Sequence, residues 1–355
     1  MSLLRLAIKT SIHQASLCQL TSRTGTRMAS TITSTIVGKS GRIYTIGNVI
    51  REHPQVPHLK IYKAESENES FVVKRVPEQF HNLSKQIASE VDCSRHLRIH
   101  VDCQDGERFL IYRYFKTTML PLIQDHPEIP APESLKILRN VGEAIQELHA
   151  KDWLHNDVKP DNILVDWESD SEGNMQVTDA LLGDFDISYN LPPGAVLQSS
   201  QAIGNVMWRS PEGQTGRGIT KASDVYSFGL VLLTAFSCLF AFGGGPFLII
   251  NNINDMIAKG ISPEQEILTR HFTFFGLPPE ALFKQINSEE WTSTLTLWSK
   301  IAEEIVRQHP EDKFESWGQD MPPDVYSAIS AMTNIDPTAR PTMAQVLAHE
   351  WWTNE

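Results

Sequence analysis

The hydrophobic residues of this chain change their period part-way along, and that change limits the folds open to it. Between Arg42 and Val76 they come in short runs, Ile43 to Val49, Lys60 to Ala64 and Ser70 to Val76, parted by polar or proline-bearing turns. That is the pattern of a three-stranded meander. Leu83, Ile87 and Val91 then mark one face of a helix, Arg108 to Phe115 forms a dense aromatic strand, and Thr117 to Gln124 leads away as a connector or short helix. Pro127, Pro130 and Pro132 mark the expected hinge between two lobes. Beyond them the period is helical: Leu138, Val141, Ile145 and Leu148 share a face of a helix from Glu133 to Ala150. A β-rich first part and a helical second part define an α+β fold class.

A chain of 355 residues, 41% hydrophobic and 21% charged, has room for two domains or one bilobal unit with a large core. Its 31 basic against 43 acidic residues give a net charge of -12, which argues against a broad electrostatic grip on nucleic acid. Cys18, Cys93, Cys103 and Cys238 form no C-x-x-C pair, so free thiols are expected rather than disulfides or a zinc site. Gly229 to Asn254 carries no charge, but Gly243-Gly244-Gly245-Pro246 interrupts it. It therefore reads as a buried core helix ending at Cys238 to Phe242, not as a membrane span. Met1 to Ile50 contains no Asp or Glu and many Ser and Thr among scattered Arg and Lys. Such a lead resembles a mitochondrial transit peptide; the alternatives are a disordered tail or a true start at Met28, and the expected location is otherwise cytoplasmic or nuclear.

The chemistry concentrates in His155-Asn156-Asp157-Val158-Lys159-Pro160-Asp161-Asn162-Ile163-Leu164-Val165, a polar stretch running into a strand. An acid, a cation and an amide so close together suit a phosphate ester handled with a metal ion: Asp157 to orient a hydroxyl proton, Lys159 to neutralise transferring charge, Asn162 to offer a carbonyl oxygen to magnesium. Upstream, Lys74 closes an apolar run, where a buried ammonium needs an anionic partner, and Glu90 on the following helix is the candidate. Downstream, Met175 to Thr178 reads as a strand, and Gly183-Asp184-Phe185-Asp186 brings a second carboxylate behind Leu181 and Leu182.

From about Tyr44 to Trp352 the chain resembles the eukaryotic protein kinase family. His155-x-Asp157 with Lys159 and Asn162 resembles its catalytic loop, Asp184-Phe185-Asp186 its Asp-Phe-Gly motif and Ser210-Pro211-Glu212 its Ala-Pro-Glu element. Ser223 to Gly229 resembles the start of the central helix of the larger lobe, and His349-Glu350-Trp351 the closing His-Pro-Trp. Asp336 to Pro341 resembles the late segment whose arginine, here Arg340, pairs with Glu212. The resemblance implies a bilobal fold with a first segment of 1-41 outside it, a small lobe of 42-116 and a larger lobe of 117-355. It implies ATP and magnesium as cofactors and Ser/Thr of a protein as substrate. Lys74, held by Glu90, would bind the α- and β-phosphates, Asp157 would be the catalytic base, Lys159 would stabilise transferred charge, and Asn162 and Asp184 would hold the metal. Ile61, Val72 and Leu164 would sandwich adenine, Tyr112 would close the back, and Arg113 to Phe115, with Tyr114 between them, would form the hinge.

Several positions depart from that pattern. The phosphate-covering region, Gly47 to Leu59, has one glycine and two prolines in place of G-x-G-x-x-G. Asn156 replaces an arginine, which makes switching by a phosphorylated activation segment less expected, although Ser199, Ser200 and Ser210 offer hydroxyls. Asp186 replaces glycine, at a cost in backbone freedom, and Asn205 stands where a threonine often meets the catalytic Asp. The acidic loop Glu168 to Asn174 and the stretch Asn251 to Met321, with a helical patch from Leu297 to Val306, look longer than the chemistry needs. The alternatives are a pseudokinase acting as a binding or scaffold module, and a small-molecule phosphotransferase, which shares the catalytic loop but lacks the Ser-Pro-Glu and late-arginine elements.

Overall fold

The computed structural model describes residues 34–52, 56, 59–91, 94–239, 249, 258, 260, 262–318 and 321–352. Residues 1–33 of the leader expected over 1–41, the prolines at 54 and 57, and the Gly-Gly-Gly-Pro break therefore lie outside the described residues.

The smaller lobe is a six-stranded antiparallel sheet in the order β1 (Thr35–Val37), β2 (Ile43–Glu52), β3 (Lys60–Ser66), β4 (Glu69–Arg75), β6 (Phe109–Arg113), β5 (Asp102–Gln104). Its first strand pairs Thr35 to Val37 with β2, so this lobe begins before the expected boundary at residue 42. Between β3 and β4 the turn is as tight as a hairpin allows. Glu67 and Asn68 both take positive φ, 52° and 67°, as a two-residue loop requires if the strands are to keep their twist. That turn fixes the register that matters here: Lys74 lies opposite Ile61 on one side and Leu110 on the other, and Val72 opposite Tyr112. Side chains two apart on a strand, or paired across strands, share a face. Ile61, Val72, Lys74 and Tyr112 are thereby collected on the face turned toward the larger lobe. Ala64, Phe71, Val73 and Ile111 are collected on the other, around Tyr44.

Helix α1 (Glu78–Glu90) packs across the inner face, with Phe80 against Val76, Cys103, Leu110 and Tyr112, and with Ile87 in the core of the larger lobe. The sheet of the smaller lobe ends at Arg113, and β7 (Thr117–Thr118) already pairs with β9 (Ile163–Ser169) of the larger lobe. The crossing between lobes thus lies at 114–116, and the prolines at 127–132 serve another purpose. Pro130 caps the N-terminus of α3 (Ala131–Ala150) and Pro132 occupies its first turn, where a missing N–H costs nothing. Between them, α2 (Met119–Asp125) is the short helix anticipated after Thr117.

The larger lobe is built on α3 and α5 (Lys221–Leu239), with the hairpin of β9 and β10 (Met175–Leu182) laid over α3. One core takes in Leu138, Val141, Ile145 and Leu148 of α3 with Val225, Phe228 and Val231 of α5. No helix among the described residues is long and apolar enough to cross a membrane. The stretch beyond residue 251 supplies α6 (Pro263–Phe275), α7 (Glu280–Ile286) and α8 (Glu289–Gln308), which contains the expected patch from Leu297 to Val306.

Candidate active site

The polar stretch from His155 to Asn162 is held by a single buried carboxylate. Asp224, in the first turn of α5, accepts the backbone N–H groups of His155 at 2.8 Å and Asn156 at 2.9 Å, and His149 Nε2 lies 3.0 Å away. Burial alone would raise the pKa of Asp224, but the hydrogen bond and charge of His149 bring it below its usual value. To offer both amides to one carboxylate the chain turns at Asn156 with φ 65°, a left-handed conformation that Asn tolerates better than most residues. His155 is buried and its pKa is lowered, chiefly by burial, so the ring is neutral. Its Nε2 faces the Gly183 carbonyl at 3.0 Å and carries the proton, while Nδ1 accepts from the Asp157 N–H at 3.2 Å.

Asp157 is the centre of the hydrogen-bond network. Lys159 Nζ donates to its Oδ2 at 2.5 Å and Asn162 Nδ2 at 3.0 Å, while the backbone N–H of Asn205 donates to Oδ1 at 2.9 Å. The Asn205 side chain turns away to accept from Met207 N, so the contact expected from this position is made by main chain. Gly204 makes the approach possible: at φ 93°, a Cβ there would sit 2.2 Å from the Asn156 carbonyl oxygen. Asn162 spends its amide nitrogen on Asp157, at Oδ2 and again at the backbone carbonyl, which leaves its carbonyl oxygen as the free atom. The Gly183 N–H donates to the backbone carbonyl of Asn162 at 2.9 Å and ties the Asp184 loop to the His155–Asn162 stretch.

Lys74 reaches Asp184 Oδ1 at 2.8 Å and Asp186 Oδ2 at 2.6 Å. Burial would lower the ammonium's pKa, but the two carboxylates reverse the balance and hold it well above the usual value. The charge of Lys74 holds Asp184 well below the usual carboxylate range, whereas burial, with the like charge of Asp184, pushes Asp186 up against the pull of Lys74.

The ion pair between Lys74 and Glu90 does not form. Glu90 is the last residue of α1, and its Oε2 accepts from the indole of Trp153 at 2.7 Å. Glu90 therefore joins the helix to β8 (Trp153–Leu154), the strand entering the His155–Asn162 stretch, and is not among the residues lining the cleft.

Ile61, Val72, Lys74, Tyr112, Asp157, Lys159, Asn162, Leu164 and Asp184 all line one cleft of about 1470 Å³ between the lobes. That exceeds the ~300–1,000 Å³ of ordinary small-ligand pockets, leaving room for a nucleotide and part of a second substrate. Tyr114 does not line it: the strand face it would continue ends at Arg113, and its ring lies under the ammonium of Lys63 at 4.8 Å. At the back of the cleft, Arg98 was not anticipated. Its guanidinium lies 4.8 Å from the Tyr112 ring centroid and donates to the Arg113 carbonyl at 3.0 Å. Nothing in the pattern around Arg98 signalled this, because its role exists only once the strand bearing Arg113 is folded against it.

The pairing anticipated between Arg340 and Glu212 forms. Arg340 Nη1 and Nη2 meet Glu212 Oε1 and Oε2 at 2.6 Å and 3.0 Å with both side chains fully buried. Ser210 is not an available hydroxyl, since it is buried and caps helix α4 (Pro211–Thr215) by accepting from the Gly213 N–H. Asp186 has no positive φ, whereas Asp184 sits at 68°, so replacing glycine by Asp at 186 costs the backbone nothing there.

The protein kinase domain family profile matches residues 59–352. The chain belongs to the protein kinase family. The serine/threonine-protein kinase PrkC of Bacillus subtilis is 26% identical over 213 residues, which is 59% of this chain and 30% of that protein. A probable serine/threonine-protein kinase of Clostridium perfringens is 24% identical over 302 residues, 78% of this chain and 40% of that protein. A probable serine/threonine-protein kinase of Dictyostelium discoideum is 30% identical over 141 residues, 40% of this chain and 8% of that protein. The chain thus spans well under half the length of these relatives. The kinase fold expected from the motifs is the fold observed, a β-rich lobe joined to a helical one.

Proposed function

We propose that this kinase domain transfers the γ-phosphoryl group of ATP, with magnesium, to Ser or Thr of a protein substrate. The observation that carries the reading is the focus of Lys159, Asn162 and the Asn205 N–H on one carboxylate, Asp157, in the cleft that Lys74 and Asp184 also line. Asp157 is positioned to accept a hydroxyl proton, and Lys159 stands beside it to offset charge on the transferring group.

The donors present fit magnesium. It prefers hard oxygen ligands, and the cleft offers an Asp184 carboxylate, 46% exposed, and the uncommitted carbonyl oxygen of Asn162. When bound, the metal supplies neutralisation of phosphate charge. The chain's own residues do the rest: Lys74 binds phosphate oxygens, Ile61, Val72 and Leu164 enclose the base, and Asp157 orients the acceptor.

Asp157→Asn tests the reading. Transfer from ATP to a peptide mixture is expected to fall by about 10²–10⁴-fold, with nucleotide still raising the melting temperature. Full transfer by that variant would sink the assignment.

One observation favours the pseudokinase reading. Arg98 occupies the Arg113 carbonyl, an acceptor the hinge would otherwise offer a nucleotide base. Absence of any melting shift with millimolar ATP and magnesium would select that reading.

A further inference from the structure

A lysine that grips phosphate oxygens must itself be held, and in protein kinases a helix glutamate ordinarily holds it. That arrangement is not available here. The residues of α1 that line the cleft are Glu78, Gln79, Phe80 and Leu83, and Glu78 makes no ion pair with Lys74. Glu90 lies two turns beyond Leu83, about 10 Å along the helix axis, and is engaged by Trp153. Among the described residues, the ion pairs of Lys74 are with Asp184 and Asp186 alone.

These two carboxylates are not equivalent. Asp184 is 46% exposed toward the cleft and is the one whose oxygens a metal would claim, whereas Asp186 is 31% exposed and turned to the ammonium. A carboxylate shared with a divalent ion has less charge to offer a lysine, so with Asp184 alone Lys74 would lose its anchor when the metal enters. We infer that Asp186 has taken over the work of the helix glutamate and is the residue that positions Lys74 for phosphate. The backbone permits it, since the position needs no left-handed conformation. The fold also makes it sufficient, because α1 is fastened to the larger lobe through Glu90 and Trp153 and need not move to complete the lysine's surroundings. This inference rests on the nucleotide-binding reading for its purpose, though not for its geometry.

The discriminating variant is Asp186→Gly, which restores the residue the motif carries elsewhere. If Asp186 were merely a degenerate glycine, the repair would leave ATP affinity equal or improved. The inference predicts the opposite: a Kd for ADP with magnesium, by calorimetry on the full chain, weaker by about tenfold, and a rise in KM for ATP larger than the fall in kcat. Leu83→Glu in the Asp186→Gly background, which returns a carboxylate to the cleft face of α1, is expected to recover most of the loss. If Asp186→Gly lowers the melting temperature, Asp186→Asn, of equal size, replaces it.

A second readout needs no nucleotide. A crystal structure of Asp186→Gly is expected to show Lys74 Nζ displaced from its place beside Asp184, whereas in Glu90→Gln it is expected to keep the 2.8 Å and 2.6 Å contacts with Asp184 and Asp186. An unmoved Lys74 and unchanged ADP affinity in Asp186→Gly overturn the inference. A lysine that moves in a protein that binds no nucleotide at all supports the Lys74 assignment while overturning the kinase reading.

Discussion

Replacing Arg340 by alanine strands a charge in the driest part of the molecule. Arg340 and Glu212 have side chains at 0% exposure and share two hydrogen bonds of 2.6 Å and 3.0 Å, and after truncation the only side-chain donor left to Glu212 among the described residues is Ser223 Oγ at 2.7 Å. The Asn334 and Ala222 carbonyls, which Arg340 meets at 2.7 Å and 3.0 Å, lose a donor as well. Breaking a buried pair from one side costs about 3–5 kcal/mol, a large part of a total stability of about 5–15 kcal/mol. The cost comes from the stranded carboxylate more than from the lost attraction. Removing both charges, as in Glu212→Gln with Arg340→Met, is therefore expected to cost at least about 2 kcal/mol less than Arg340→Ala. The pH dependence separates these terms. In the native chain burial pushes Glu212 up, but Arg340 and Ser223 bring it below the usual value of 4.5, so its contribution is intact above pH 4.5 and is lost as pH falls through the lowered value. In Arg340→Ala burial wins, the carboxyl takes up a proton at higher pH, and the cost of the substitution shrinks on acidification. Urea unfolding followed by tryptophan fluorescence at neutral and mildly acidic pH measures both. A cost below about 1 kcal/mol, or a double variant as unstable as the sum of its singles, would refute the argument. Because Glu212 anchors the segment whose Asn205 N–H holds Asp157, activity is expected to fall with stability.

His271 is fully buried without a hydrogen-bond partner among the described residues, and burial pushes its pKa down to about 3. The unfolded chain takes up a proton below pH 6.5 that the folded chain refuses, so stability falls between pH 6.5 and about 3, by about 2 kcal/mol at pH 5 from this residue. His271→Phe is expected to remove that share of the slope in unfolding curves at pH 7 and 5. Arg98→Ala frees the Arg113 carbonyl and, by the net worth of one hydrogen bond, should tighten ADP binding about threefold to tenfold; weaker binding in calorimetry would instead make Arg98 a contact for the nucleotide. Trp153→Phe leaves Glu90 without its 2.7 Å donor, a loss of about 1 kcal/mol in thermal unfolding. ADP affinity is expected to stay unchanged in Trp153→Phe and in Glu90→Gln, and a drop in either would return Glu90 to the phosphate site.

Much of the site was legible because its parts are close in sequence. Asp157, Lys159 and Asn162 act on one another across a single short turn, so residue types and spacing were enough to predict their company. The pairing of Arg340 with Glu212 was also foreseen, since both lie in motifs whose order along the chain is itself a signal. Ile61, Val72 and Tyr112 were placed in the cleft by the family resemblance, and alternation along their strands is the reason they share a face there. Tyr114 was given to the hinge on the same ground, but the sheet ends one residue before it and it does not line the cleft.

The lysine's partner was decided by tertiary structure. From sequence, Lys74 is an ammonium in want of a carboxylate, and Glu90 was the partner expected, with Asp184 given to the metal and Asp186 read only as a replaced glycine. The choice depends on where α1 sits, and a helix advances about 1.5 Å per residue, so the same glutamate two turns earlier, at the place of Leu83, would face the cleft. Glu90 comes at the far end, where Trp153 takes it, and the loop of Asp184 and Asp186 closes on Lys74 instead. Local pattern determines which residues can do chemistry; the end of a helix, the end of a sheet and the packing of two lobes determine which of them meet, because those distances depend on contacts between segments that sequence spacing does not encode.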